Sequence, residues 1–199
     1  MTKDGHMKNV PETDKKVIFS DTDTLSSFLW RDAFGYFLKL FRELGIEVVI
    51  PQIVVDELEY SERTRERLAK PIKNLERQGK LQIQEIMSGT NAYYTYLHLT
   101  EEEDMGNGEA AALSMVTHSE GKASVASNNL SDIGKYVRKN RIDLWTTARI
   151  ISECEKKGIL TEERAEKLWI KMKEDGLYLP SDNYSDYVEK ITGEKQTKE

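Results

Sequence analysis

Residues 17–29 read VIFSDTDTLSSFL, a short apolar run that stops at Asp21 and leads into a helix-like pattern. The first four residues have the length and apolar character of a buried strand. Apolar residues then recur at helical spacing, which predicts a helix over residues 24–44 that Gly45 ends. In α/β proteins, functional side chains gather where a strand ends and a helix begins. Asp21 is therefore the first candidate for a functional residue.

The same alternation of strand and helix continues along the chain. Strand-like segments occur at 46–51 (IEVVIP), 81–86 (LQIQEI), 123–127 (ASVAS) and 142–145 (IDLW), and segments of helical periodicity lie between them. This alternation predicts an α/β fold with a mostly parallel central sheet and helices on both of its faces.

The chain divides into four regions. Residues 1–15 are polar and lack periodicity, which predicts a flexible N-terminal segment. Residues 16–157 carry the strand and helix alternation and are predicted to form the main domain. Residues 158–191 are predicted to form a C-terminal helical extension that covers the sheet or docks a partner, and residues 192–199 a disordered tail.

Composition excludes several classes of protein. With 38% hydrophobic and 32% charged residues among 199, the chain can bury a core beneath a heavily charged surface. It has no apolar stretch long enough to cross a bilayer and no secretory signal pattern, so we expect a cytoplasmic protein with no membrane partner. The single cysteine, Cys154, excludes an intramolecular disulfide. A net charge of −6 does not favour nucleic-acid binding, although carboxylates that line a metal site would themselves add negative charge.

Acidic residues recur at or beside the predicted strand ends. They are Asp21 and Asp23, Asp56 and Glu57, Glu109, and Asp132. The carboxyl ends of parallel strands share one edge of a sheet, so these side chains can converge there. Clustered carboxylates repel one another unless they are protonated or bind cations, and hard oxygen ligands suit Mg²⁺ or Mn²⁺. Such a site can activate water for phosphodiester cleavage.

Four segments together resemble the PIN-domain family. They are VIFSDTDTLSSFL, VVIPQIVVDELE, GNGEAAALSM and SVASNNLSDIGKYVRKNRIDLWTTARII, which cover much of residues 17–157 in the order and spacing typical of the family. The residues from 155 onward also resemble the tail of a bacterial PIN-like subgroup. The resemblance implies that residues 16–157 form a PIN-like domain and that the protein is a Mg²⁺- or Mn²⁺-dependent ribonuclease, often the toxin of a VapC-type toxin–antitoxin pair. It implies RNA and an antitoxin protein as partners, and a homodimer as a further expectation.

The resemblance also implies which residues hold the metal. Asp21 matches the first family acid, Glu57 the second and Glu109 the third, whereas the fourth falls at Asn129 in the segment SNN. An amide oxygen can coordinate Mg²⁺ but carries no charge, so the metal affinity of the site should be lower than with four acids. Asp132 is a candidate to compensate.

Three explanations of Asn129 are consistent with the sequence. The site works with Asp132 or Asp104 in place of the fourth acid, or the protein is a pseudo-nuclease that keeps the fold for binding, or an Asp→Asn change was introduced to disable a toxic enzyme. The leading hypothesis is the ribonuclease. Its rivals are a catalytically weakened module that binds RNA or a protein, and an unrelated α/β domain whose acids only cap helices.

Other features have simpler structural interpretations. Asp23 is interpreted as a helix cap or as a supporting group of the site. The basic stripe Arg63, Arg67, Lys70 and Arg77 could follow an RNA backbone, but a solvated helix face is the more ordinary explanation, because Glu62, Glu66 and Glu76 lie among these cations. The tyrosines at 93, 94 and 96 could stack on bases, although core or partner contacts are the more ordinary role for such residues.

Overall fold

The computed structural model describes residues 16–196, with side chains described as far as residue 193. The predictions for residues 1–15 and for the last three residues of the tail fall outside this range. Strands and helices alternate along the described chain as the sequence predicts. The strands are β1 (Lys16–Ser20), β2 (Ile46–Pro51), β3 (Gln82–Gln84), β4 (Lys122–Ala126) and β5 (Asp143–Trp145).

Helices connect these strands and continue past the last of them. They are α1 (Thr22–Leu29), α2 (Phe34–Glu43), α3 (Gln52–Glu59), α4 (Glu62–Thr64), a π-helical segment (Arg65–Ala69), α5 (Lys70–Arg77), α6 (Asn91–Glu101), α7 (Asn107–Thr117), α8 (Leu130–Asn140), α9 (Thr147–Lys156), α10 (Glu162–Glu174) and α11 (Tyr184–Gln196). The predicted end of the helical extension at residue 191 thus falls inside α11.

The described strands form one sheet in the order β3-β2-β1-β4-β5, and each neighbouring pair is parallel. The predicted α/β class is therefore confirmed, and the sheet is parallel throughout. The chain moves outward from β1 in one direction through β2 and β3, then returns to the other side of β1 for β4 and β5. The strand order reverses between β1 and β4, where open α/β sheets form a crevice at the carboxyl edge.

Alternate side chains of the central strand enter two separate cores. Ile18 packs into the core formed with α1, α2, α9 and α10, whereas Val17 and Phe19 pack into the core formed with α7 and α8. Successive residues of a strand point to opposite faces, so β1 is buried on both sides. Because β1 is held between two cores, its carboxyl end is fixed in place. Asp21 directly follows that end, so its position is fixed as well.

The predicted helix over residues 24–44 is in fact two helices, α1 and α2. Asp32 has a left-handed φ of 53°, and the backbone N–H of Ala33 returns to the carbonyl of Phe28, which closes α1 at its C-terminus. Aspartate is among the few residues that adopt this conformation at modest cost. The apolar periodicity spans both helices because both face the same core, so periodicity alone did not predict the break.

The C-terminal helices share the core of the main domain. Trp169 of α10 and Tyr184 of α11 are fully buried in the same cluster as Phe28 and Phe37. The indole ring of Trp169 lies 5.6 Å from the ring of Tyr184, centre to centre. No helix in residues 16–196 has both the length and the apolar character needed to cross a membrane.

Candidate functional site

The carboxyl ends of β1 and β4 lie side by side at the point where the strand order reverses. Ser20 is paired with Ala126, and the next backbone N–H, that of Asp21, donates to the carbonyl of Ala126 over 3.1 Å. The segment that follows β4 therefore begins beside Asp21. Strand pairing thus brings together residues that are about a hundred positions apart in the sequence.

Asp21 is buried and only half satisfied by hydrogen bonds. It caps α1, because its Oδ1 accepts the backbone N–H of Thr24 over 2.8 Å. Its Oδ2 is buried and accepts no hydrogen bond of normal geometry among the described residues, although the Ser127 side chain acts on the carboxyl and lowers its pKa. Burial raises the pKa of Asp21 to about 7, and nearby Asp23 raises it further, although Ser127 and Thr24 lower it. A buried carboxylate oxygen without a donor is costly unless it is protonated or binds a cation.

Glu109 stands in the first turn of α7 among other acids. Burial raises its pKa, and the charges of Asp23, Asp132 and Glu57 raise it further, whereas a hydrogen bond from Asn129 lowers it. Among the described acids, Glu109 is therefore the one whose pKa is most clearly raised by the charges of neighbouring carboxylates. Asp21, Asp23, Glu57, Glu109 and Asp132 are called the acidic cluster below.

Asn129 uses its amide nitrogen to join two of these acids. Its Nδ2 donates to Glu109 Oε1 over 2.9 Å and to Asp132 Oδ2 over 2.7 Å, while its Oδ1 accepts from the hydroxyl of Ser131. Carboxylates only accept hydrogen bonds, so the nitrogen of the amide must face them. Asn129 thus presents two N–H groups to the acidic cluster where a fourth acid would present oxygens.

Glu57 of α3 connects its own helix to α1 and α7 through hydrogen bonds. Its Oε2 accepts a hydrogen bond from the hydroxyl of Thr22 at the start of α1, and its Oε1 accepts the backbone N–H of Gly108 in α7 over 3.1 Å. Both oxygens are therefore engaged by the protein. In this arrangement Glu57 positions α1 and α7 around the acidic cluster. The family resemblance implies that Glu57 is a metal ligand, but nothing in the sequence indicates these contacts.

Gly108 allows this close approach of the three helices. A Cβ at this position would lie 2.7 Å from Thr22 Oγ1 and 2.9 Å from Glu57 Oε2, closer than atoms normally pack. Gly108, the second residue of α7 and the second glycine of the segment GNGEAAAL, is the sequence signal for this contact, because most other residues favour a helix more than glycine does. Thr22 carried no comparable signal.

The structure shows the surroundings of three further residues that the sequence indicated. Asp23 does not cap α1, since Asp21 does, and Asp23 is an exposed acid whose charge acts on both Asp21 and Glu109. Tyr96 is partly buried at the rim of the cluster, where its hydroxyl donates to Asn107 over 3.2 Å. Burial raises the pKa of Tyr96, and the charge of Glu57 raises it further. Asp104, an alternative fourth acid, is exposed in the turn before α7.

The acidic cluster is incomplete as a metal-ligand set. Among residues 16–196, no three His, Cys, Asp or Glu side chains are arranged so that they could hold a metal ion together. The unpartnered Oδ2 of Asp21 and the mutual repulsion around Glu109 nevertheless fit one hard divalent cation. Asn129 directs its N–H groups toward the cluster and Glu57 has both oxygens engaged, so these two residues fit such a cation less well.

Two comparisons with known proteins found a similarity to this chain. A family model described as a PIN domain (DUF3368) matches residues 18–193. No curated protein matches the chain. Among solved structures, the chain is similar to one chain of the crystal structure of VapBC2 from Rickettsia felis bound to a DNA fragment from their promoter, with 20% sequence identity and a TM-score of 0.47. That alignment covers 65% of the present chain and 98% of the other.

Proposed function

Since the chain belongs to the PIN-domain family, we propose that it is a metal-dependent ribonuclease whose active site is the acidic cluster. The observation that carries this proposal is the buried Asp21 at the strand-order reversal, whose Oδ2 lacks a partner while Asp23 repels it. Helix capping requires only one oxygen of Asp21 and does not explain the second. This observation disfavours the hypothesis that the acids serve only as caps.

The residues of the cluster have distinct roles in the proposed reaction. Asp21 and Glu109 would hold one Mg²⁺ or Mn²⁺ ion, with Asp23 beside them. The bound ion would supply the positive charge that favours ionisation of an attacking water and neutralises the phosphoryl oxygens. Glu57 keeps α1 and α7 in place through Thr22 and Gly108, so that Asp21 and Glu109 stay close together.

Cleavage of generic single-stranded RNA with Mg²⁺ or Mn²⁺ tests the proposal. We expect activity in the parent protein, and at least a 100-fold loss in Asp21→Asn and in Glu109→Gln, because each removes a charged ligand. Asp56→Asn is the matched control, since Asp56 is exposed beside Glu57 and, in the part of the chain that the structure describes, its side chain bonds only Gln52. If the parent is active and Asp21→Asn keeps full activity, the site assignment is wrong.

The hydrogen bonds of Asn129 favour a second function, a catalytically weakened PIN-like module that binds RNA or a protein partner. The Asn129 amide donates hydrogen bonds to Glu109 and Asp132 and so reduces the repulsion between them. A cation would otherwise have this role. Asn129→Asp separates the two functions. A gain in metal-dependent cleavage over the parent supports the weakened module, whereas an active parent that Asn129→Asp does not improve supports the ribonuclease.

We also propose that the protein is the toxin of a toxin–antitoxin pair. This proposal rests on membership of the PIN-domain family. Induced expression should arrest bacterial growth, and Asp21→Asn should restore growth at equal protein level. An antitoxin would be recognised by relief of the arrest when the neighbouring gene is expressed with the chain. The expected homodimer is tested by sedimentation of the purified protein.

A further inference from the structure

The four cations of the predicted basic stripe fall into two pairs that have different kinds of partner. Lys70 donates to Glu66 over 2.6 Å, and Arg77 donates to Asn74 over 3.1 Å. Neighbouring Lys73 likewise donates to Glu59 over 2.6 Å. These cations have ordinary partners on the helix surface, which fits a solvated face.

The other two cations of the stripe have a different partner. The guanidinium carbons of Arg63 and Arg67 lie 4.9 and 5.0 Å from the centre of the Trp30 ring. The ring is the only partner of either guanidinium among the described residues, so the N–H groups of both remain available. Arginine held over an aromatic ring is well suited to bind phosphate, because less side-chain entropy is lost on binding.

This arginine pair is connected to the acidic cluster through α1. At one end of α1, Thr22 donates to Glu57 of α3. At the other end, Trp30 lies against Arg63 and Arg67, which follow α3 in the chain. Helix α1 therefore runs beside α3 and the segment after it, and its eight residues separate the two contacts by about 12 Å. That distance is spanned by about four stacked nucleotides at 3.4 Å each.

Tyr60 lies between these two contacts in the chain. It is 94% exposed and caps the C-terminus of α3, where its backbone N–H donates to the carbonyl of Glu57. Residues three apart on a helix are neighbours on its surface, so Tyr60 stands beside Glu57. A large aromatic side chain that the protein leaves almost fully exposed offers a face on which a base can stack.

We propose that Tyr60, Arg63 and Arg67 bind single-stranded RNA beside the acidic cluster, with a base on Tyr60 and phosphates on the two guanidiniums. This inference rests on the proposed ribonuclease function, for which it supplies the substrate-binding surface. The acidic cluster repels a phosphate backbone, and two cations without carboxylate partners at its side offset that repulsion. Proteins that bind single-stranded nucleic acid without sequence preference typically combine exposed aromatic rings with neighbouring cations.

Fluorescence anisotropy with a labelled single-stranded RNA, in EDTA to prevent cleavage, tests the surface. We expect Arg63→Gln/Arg67→Gln to weaken binding at least 10-fold and to lower the salt dependence of log K by about 1.4, or 0.7 for each lost phosphate contact. Tyr60→Ala should weaken binding about 5- to 160-fold, and Tyr60→Phe should retain it, since stacking requires the ring and not the hydroxyl.

Lys70→Gln/Arg77→Gln is the matched control, because it removes the same charge from the same stretch of chain at cations that have partners. The inference is overturned if this control weakens binding as much as the arginine pair, or if the parent binds no RNA. It is also overturned if the Tyr60 and arginine variants bind RNA normally and lose only a protein partner. RNA binding that depends on Tyr60 and the arginine pair, in a protein that cleaves no RNA, would support this surface and contradict only the ribonuclease function.

Discussion

Asn129 Nδ2 lies 2.9 Å from Glu109 Oε1, so an amide hydrogen connects the start of α8 to the start of α7 within the acidic cluster. The same nitrogen lies 2.7 Å from Asp132 Oδ2. A neutral group thus reduces the repulsion between two carboxylates in the described chain. This relationship makes the residue at position 129 important for the stability of the acidic cluster.

Replacement of Asn129 by aspartate should therefore destabilise the protein without metal and increase its response to metal. The change converts two hydrogen bonds into repulsion among three carboxylates, which we expect to cost about 1–3 kcal/mol in EDTA. Millimolar Mn²⁺ should raise the melting temperature of Asn129→Asp more than that of the parent. Thermal melts with EDTA and with Mn²⁺ measure both effects.

Asn183→Asp is the control for this prediction. Asn183 also donates its amide N–H to an aspartate, Asp186, over 2.8 Å, but it lies between α10 and α11 outside the acidic cluster. It should show a smaller loss and no gain with Mn²⁺. An equal Mn²⁺ response in the two variants would contradict the metal-binding role of position 129.

Asp21 should make the protein less stable as the pH rises. Its pKa is about 7 in the folded protein and 3.8 in the unfolded chain, so the folded state binds the proton more tightly. The contribution of Asp21 to the stability of the folded protein is complete below pH 3.8 and is lost as the pH rises through 7. Its upper limit is about 4 kcal/mol, because one pKa unit corresponds to about 1.36 kcal/mol. Glu109 contributes in the same direction.

Urea denaturation at pH 5 and pH 8.5 measures this effect. We expect Asp21→Asn to unfold at higher urea than the parent at pH 8.5, and the difference to shrink at pH 5, where Asp21 is mostly protonated. Addition of Mn²⁺ at pH 8.5 should stabilise the parent and leave Asp21→Asn unchanged. The same pH dependence in both proteins would show that Asp21 is ionised at little cost in the folded state.

Gly108→Ala should destabilise the protein by about 1–3 kcal/mol, the usual cost of overpacking. The new Cβ would press on Thr22 Oγ1 and Glu57 Oε2 and would separate α7 from α1 and α3. We expect RNA cleavage to fall as well, because Glu109 lies on the displaced turn of α7. Thr22→Ala added to Gly108→Ala should recover part of the stability, since it removes the nearest atom.

Gly35→Ala is the control for the glycine prediction. Gly35 lies in α2, and a Cβ there would have no atom within 4 Å apart from its own helix. This substitution should be neutral or stabilise by about 0.5–1 kcal/mol, because alanine favours helices. A stable Gly108→Ala would show that α7 can move away from α1 without cost.

The sequence was sufficient to predict the parallel sheet and the acids at its edge, because periodicity and strand ends are local properties. It did not reveal the different environments of those acids. Asp21 is buried because β1 is central, and Glu57 is engaged by Thr22 and Gly108, which are 35 and 51 residues away. Likewise, the partners that distinguish Arg63 from Lys70 depend on the position of Trp30. These differences arise from tertiary contacts that no spacing in the sequence predicts.

Trp169 should be essential for the stability of the whole domain. It is fully buried in the core that contains Phe37, and its indole N–H donates to the carbonyl of Ser181 over 3.2 Å. We expect Trp169→Ala to lower the free energy of unfolding by about 3–5 kcal/mol. Ile170→Ala at the adjacent, 42% exposed position should cost less than about 1 kcal/mol. Urea denaturation followed by circular dichroism should show one transition for each protein, because α10 shares the core of the main domain. Two separate transitions would contradict this shared core and would make the C-terminal helices an independent unit.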